Sequence, residues 1–143
     1  MTTTFRKVLS ANDAGETKSH QAGMLIPKGD AEFREFLGFL DAGVKNPRRT
    51  IKCVDEDDQQ IELQYIYYNN KLHDERGTRN EYRLTHLTGY LKRRGAKAGD
   101  EIELSRADEY SNFHIRLIVD AQSNELPSTL SNCIVLRGWR RIH

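Results

Sequence analysis

The sequence predicts a mostly β, barrel-like α+β domain with seven or eight short strands and two helices. Three observations point there. Apolar and polar residues alternate over short stretches, most clearly where Ile61, Leu63, Tyr65 and Tyr67 interleave with Glu62, Gln64, Ile66 and Tyr68. Gly, Asn, Asp and Pro break the chain at short intervals. Only two segments, near 30–43 and 84–95, space their apolar residues at helical intervals. A length of 143 residues fits one domain spanning 1–143.

The elements follow in order. Residues 5–9 form a short strand, and the small, polar run 10–23 forms a long loop. Met24, Leu25 and Ile26 form a strand stopped by Pro27. Asp30 is placed to cap a helix whose Phe33, Phe36, Leu37 and Leu40 recur at i, i+3, i+4 and i+7, with Gly43 as its stop. Strands over 49–54 and 61–68 flank the acidic turn DEDDQQ. A second polar loop covers 69–78, and a strand covers 79–83. Leu84, Leu87 and Leu91 space a second helix that closes near Gly95. Strands over 101–106 and 113–119 make a hairpin. A strand over 133–136 leads into a basic tail or linker at 137–143.

Composition excludes several classes. No apolar run approaches the ~20 residues of a membrane helix. The start, MTTTFRKVLS, lacks the apolar block of a secretory signal, so a cytoplasmic location is expected. Two cysteines, Cys53 and Cys133, are too few for a disulfide scaffold or zinc cluster, and both are expected as buried thiols. There is no G-x-S-x-G elbow and no glycine-rich phosphate loop after a strand. No cofactor is expected.

The formal net charge is only +1, but it is unevenly spread. Residues 55–62 carry five carboxylates and no cation. Residues 71–97 carry eight Lys or Arg against three carboxylates. One basic side on a near-neutral chain suits an oriented polyanion binder. Asp58 with Glu62 loosely imitates the spacing of a metal-dependent nuclease, which is the alternative function. A solvated acidic turn explains the same residues. A third class, a protein-interaction module, would use the helix over 30–42.

The most unusual run is GTRNEYR, 77–83. On a strand it puts Arg79, Glu81 and Arg83 on one face, about 7 Å apart in succession. Such a face can be a salt-bridge ladder, each link giving about 0.2–1 kcal/mol. It can equally be a reading head, because Arg pairs bidentately with guanine and Glu accepts from the cytosine amino group. Asn80 has the chemistry to read adenine. Composition leaves both readings open.

Two longer runs carry a resemblance. KVLSANDAGETKSHQAGMLIPKG (7–29) and IYYNNKLHDERGTRNEYRLT (66–85) resemble the N-terminal DNA-binding domain of EcoRII-type restriction endonucleases, in the same order. LKRRGAKAGDEIEL (91–104) is similar to a helix-turn-strand shared with the plant B-three DNA-binding domain. Close similarity covers about a third of the chain. The resemblance implies a seven-stranded open pseudobarrel with two flanking helices and two arms, about 10–21 and 71–83, that enter the major groove of double-stranded DNA. It implies a short G·C-rich target of the CC(A/T)GG kind, and a nuclease domain in cis or on a partner chain, in a bacterial cytoplasm. By position, His20, Arg79, Asn80, Glu81 and Arg83 would read bases. Lys18, Lys71, Arg76 and Lys92 would hold phosphates, and Asn12, Asp13, Thr17 and Gln21 would shape the first arm. The sequence departs from the family pattern in having Leu25 at an aromatic position and Gly77 and Tyr82 at lysine positions.

Overall fold

The alternating strands build one curled, mixed sheet. The computed structural model describes residues 2–11, 13, 23–119 and 138–142. Its elements are β1 (Thr3–Val8), β2 (Met24–Ile26), α1 (Ala31–Leu37), β3 (Arg48–Val54), β4 (Gln60–Tyr68), α2 (Asn70–His73), β5 (Glu81–Thr85), α3 (Thr88–Arg94), β6 (Glu101–Arg106), β7 (Phe113–Ile118) and β8 (Arg140–Ile142). The strand order is β2-β5-β4-β3-β7-β6-β1-β8. Every neighbouring pair is antiparallel except β3 and β7, which pair in parallel at only Cys53–Phe113 and Val54–His114. The sheet is a half-barrel with β2 and β8 as its edges.

The core fills the inside of the curl. Ile51, Leu63, Tyr65, Leu84, Ile102, Leu104 and Ile115 face inward from the strands and are almost fully buried. Helix α1 closes one end with Phe33 and Leu37; Phe33 stacks on Trp139 with centroids 4.2 Å apart. Leu87, Tyr90 and Leu91 seat α3 on the same core. Cys53 is buried as expected, and burial pushes its thiol pKa up to about 12. Cys133 lies outside the described residues.

Several expectations are corrected. The described sheet has eight strands rather than seven, and there are three helices rather than two. The additional helix is α2, a single turn in the polar loop 69–78, where no apolar periodicity announces it. The strand expected over 79–83 lies at Glu81–Thr85, and the second helix starts at Thr88. Leu84 fits the helical spacing with Leu87 and Leu91, but its place opposite Tyr65 and Met24 buries it completely as an inward strand residue. Helix α1 stops at Leu37, where the Gly38 N–H bonds the Arg34 carbonyl, well before Gly43. Asp30 precedes the helix without a side-chain cap; its carboxylate instead accepts the Trp139 N–H at 2.9 Å. The end of the basic tail is structured: β8 pairs with β1, and Arg141 bonds Glu32 at 2.8 Å. The strand expected over 133–136 lies outside the described residues.

Candidate nucleic-acid interface

The candidate residues sit on and beside the outer face of β2, β5, β4 and β3. Inward residues alternate with outward ones, so Glu81, Arg83 and Thr85 of β5 point away from the core. Arg83 lies in one cross-strand row with Leu25, Ile66 and Arg48, and Glu81 lies opposite Tyr68. Ile66 is only 3% exposed although it faces outward, so the face is charged at its surface and dry beneath.

Arg79, Glu81 and Arg83 are brought together as the spacing predicts. Arg79 Nε donates to Glu81 Oε1 at 2.9 Å, and Arg83 Nε donates to Glu81 Oε2 at 2.8 Å. The Arg79 guanidinium lies 3.8 Å from the centroid of the Tyr68 ring, a cation–π stack that fixes its plane. Arg83 Nη1 reaches the Gly23 carbonyl at 3.0 Å. The row therefore runs from the second polar loop to the root of the first. Partial burial pushes the Glu81 carboxyl upward, but the hydrogen bonds and charges of the two arginines more than reverse this, so it titrates below the ordinary glutamate range. Glu81 stays ionised with two of its lone-pair sites used and about two more to offer. Among the described residues, the terminal nitrogens of Arg79 meet no acceptor.

The second loop, 69–80, is tied down at its base. Asn69 is fully buried. Its Nδ2 donates to the Ala42 and Val44 carbonyls at 3.2 and 2.9 Å, and its Oδ1 accepts the Asn46 N–H at 2.7 Å. Lys45 and Asp74 form an ion pair at 2.6 Å. Asn70 Oδ1 accepts the Arg79 N–H at 2.8 Å, which closes the loop across α2. Gly77 is needed for this closure, because a Cβ there would stand 2.1 Å from the Asn70 carbonyl oxygen. The departure from lysine at Gly77 thus has a packing reason. So does Tyr82, which turns inward and stacks on Tyr67 at 4.2 Å. Lys71 and Arg76 stand exposed on this loop, and Lys92 stands exposed on α3.

Asn80 is placed differently from the arginines. Its Oδ1 accepts the Tyr67 hydroxyl at 2.5 Å, so one of that oxygen's two lone pairs is used within the protein. Of the first loop, the described residues include its two roots. Asp13 accepts from the buried Lys7 ammonium at 2.5 Å, and exchanges bonds with Ser10 at 3.1 Å each way. Gly23 ends the loop at φ +88°, a left-handed conformation, with Thr85 Cγ2 only 2.5 Å from where a Cβ would be. Asn12, Thr17, Lys18, His20 and Gln21 lie outside the described residues.

The acidic turn has a structural use that the sequence did not announce. Asp55 Oδ1 accepts the Asp57 and Gln59 N–H groups at 2.8 and 2.9 Å. Arg94 of α3 bonds Asp55 at 3.1 Å and Asp57 at 2.8 Å, and Tyr90 donates to Glu56 at 2.8 Å. The turn clamps α3 to the β3–β4 hairpin. Asp58 takes a left-handed turn conformation at φ 59°, while Glu62 is an exposed β4 residue opposite Lys52. Among the described residues, no group of three or more His, Cys, Asp or Glu stands where it could hold a metal ion.

Sequence reasoning missed Asn69, Tyr68 and Arg94. The Asn69–Asn70 pair at the strand end was the available signal for the first, since buried Asn amides bind loop carbonyls. No helix of the described residues is long and apolar enough to cross a membrane. A search of curated proteins gave no match. The family model for the restriction endonuclease EcoRII, N-terminal, matches residues 1–98, well over half of the chain. This chain therefore belongs to the EcoRII N-terminal family, the DNA-binding effector domain of restriction endonucleases.

Proposed function

We propose that the chain recognises a specific short sequence in double-stranded DNA through the outer face of β5 and the two loops beside it. Arg79, Glu81 and Arg83 read base edges in the major groove, joined by His20 from the first loop. Asn80 buttresses this strand through Tyr67 and reads a base through its amide nitrogen and the remaining lone pair of its oxygen. Lys18, Lys71, Arg76 and Lys92 neutralise phosphates, while Asn12, Asp13, Thr17 and Gln21 shape the first loop. The target is a short G·C-rich site resembling CC(A/T)GG. Phosphodiester cleavage belongs to a nuclease domain in cis or on a partner chain, and this domain needs no cofactor.

The observation that carries this reading is the fixed Arg79–Glu81–Arg83 row, which spans the gap between the two loop roots. Each guanidinium is held by its Nε, which leaves the terminal nitrogens of Arg79 without an acceptor among the described residues, and a guanidinium fork has the chemistry to pair with guanine O6 and N7. Selecting bound sites from a random duplex pool tests the proposal. An enriched motif containing G·C pairs supports it; a pool left unenriched at near-physiological salt refutes it.

A further inference from the structure

Among the described residues, several partly buried cations sit against carboxylates: Arg6 and Arg116 on Glu103, Lys7 on Asp13, Arg94 on Asp55 and Asp57. A groove on the far side of β3 is built differently. Strand β3 pairs with β4 along its whole length but with β7 only at its last two residues, so its first half parts from the β6–β7 hairpin. The resulting cleft of about 190 Å³ is lined by three cations, Arg49, Lys52 and Arg106, and by no acidic residue. Among the described residues, none of the three has a carboxylate within ion-pair distance.

The cleft is held in shape. Arg49 Nη1 donates to the Phe39 carbonyl at 3.1 Å. Arg106 Nε donates to the Ser111 carbonyl at 3.0 Å, and its guanidinium lies 4.4 Å from the Phe113 centroid. Carbonyls orient a guanidinium without cancelling its charge; Asp108 of the same turn feels the Arg106 charge and Glu62 stands across the strand pair from Lys52, but neither carboxylate lines the cleft or pairs directly with its cations. Asp108 caps the hairpin turn through the Tyr110 N–H at 2.8 Å and the Ser111 hydroxyl at 2.9 Å. That turn presents Tyr110 with 90% of its surface exposed.

One lip of the cleft, Thr50 and Lys52, is continuous with the proposed DNA face, whereas Arg49, in register with the inward Tyr65, enters from the other side of the sheet. Thr50 and Lys52 line the cleft, and Thr50 shares a cross-strand row with Gln64 and Thr85, beside the Arg48–Ile66–Arg83 row. Strands lie about 4.8 Å apart, which puts β3 about 10 Å and the cleft about 15 Å from Arg83. Charges on one DNA strand recur about every 3.4 Å of helix axis, so a duplex laid with its axis across the strands would meet the cleft about four base pairs beyond the pair that Arg83 faces.

We propose that this cleft is a flank-binding site. It takes the phosphodiester backbone of the same duplex, outside the recognised sequence, with Arg49, Lys52 and Arg106 on phosphate oxygens and Tyr110 against a deoxyribose. The proposal rests on the reading of the outer face given above. It makes the chain sensitive to DNA on one side of its site, where no base is read.

The test is a length series. Duplexes bearing the selected site are extended on one flank at a time, from about one to about eight base pairs. Affinity should rise about three- to tenfold as one flank passes about four base pairs, and stay flat on the other. Lys52→Ala, an exposed change, should remove most of that rise and lower the salt slope by about one on the long duplex only. Tyr110→Ala, also exposed, should weaken only the long duplex. Affinity that is flat with length on both flanks, with site preference kept, overturns the cleft alone. A rise that survives Lys52→Ala together with Arg49→Ala does the same. Loss of site preference in the unmodified chain overturns the outer-face reading itself, and with it this proposal.

Discussion

Replacing Glu81 with Gln separates a reading head from a stability ladder. The substitution keeps the shape and removes one charge from between two guanidiniums. The side chains of Arg79, Glu81 and Arg83 are 36%, 26% and 22% exposed, so solvent screens both links. Exposed pairs contribute about 0.2–1 kcal/mol each, which makes the stability loss about 0.5–2 kcal/mol. For a chain of this size that lowers Tm by about 2–6 °C at neutral pH. The acid side gives an internal check. The folded carboxyl titrates below the ordinary 4.5, so its contribution is complete above that pH and is lost as pH falls through the folded value. The Tm difference between variant and parent should therefore shrink below pH 4.5. DNA binding should split in two directions. A carboxylate accepting from a cytosine amino group is worth about 1–3 kcal/mol of discrimination, so affinity for the selected site falls about 5- to 150-fold. Random duplex should bind at least as tightly as before, because a negative charge has gone. Fluorescence anisotropy on both duplexes reads this directly. Equal changes on the two, accompanied only by the Tm loss, would mean that Glu81 is a link in a ladder and reads nothing.

Other expectations follow from the same geometry. Lys71→Ala should weaken selected and random duplexes alike and flatten the salt dependence by about one charge, and an unchanged slope removes Lys71 from the contact set. Asn69→Ala leaves the Val44 carbonyl and the Asn46 N–H without their buried partner, while the Ala42 carbonyl keeps its contact with His73 Nε2 at 3.0 Å, so thermal melting should show a loss of about 2–4 kcal/mol; a change under about 0.5 kcal/mol would show that water replaces the amide. Gly77→Ala drives a Cβ into the Asn70 carbonyl, which should open the second loop, speed hydrogen exchange at Arg79 N–H and reduce DNA affinity, whereas unchanged exchange would mean that the loop shifts at no cost.

The strands were legible where one face is core. Residues 49–54 and 61–68 differ by one residue from β3 and β4, because Ile51, Cys53, Leu63 and Tyr65 must face one way. The boundary of β5 was not legible, since Leu84 satisfies helical and strand patterns equally and only its partners Tyr65 and Met24 decide. Loop structure was least legible. Helix α2 and the Asn69 network depend on contacts with the loop around 38–47, which no local pattern encodes. The geometry of the charged row was legible for a simple reason: charges two residues apart share a face on a strand. That held even though Arg79 precedes β5, because Tyr68 supplies the ring that holds it in line. The sequence did not distinguish Asn80 from its neighbours, since nothing local shows that Tyr67 claims its oxygen.

The most direct test of base reading is the affinity of Arg79→Ala for the selected site and for random duplex, measured side by side at near-physiological salt. A loss of about 1–3 kcal/mol on the selected site with little change on random DNA is the predicted result. Equal losses on both would place Arg79 on a phosphate and contradict it.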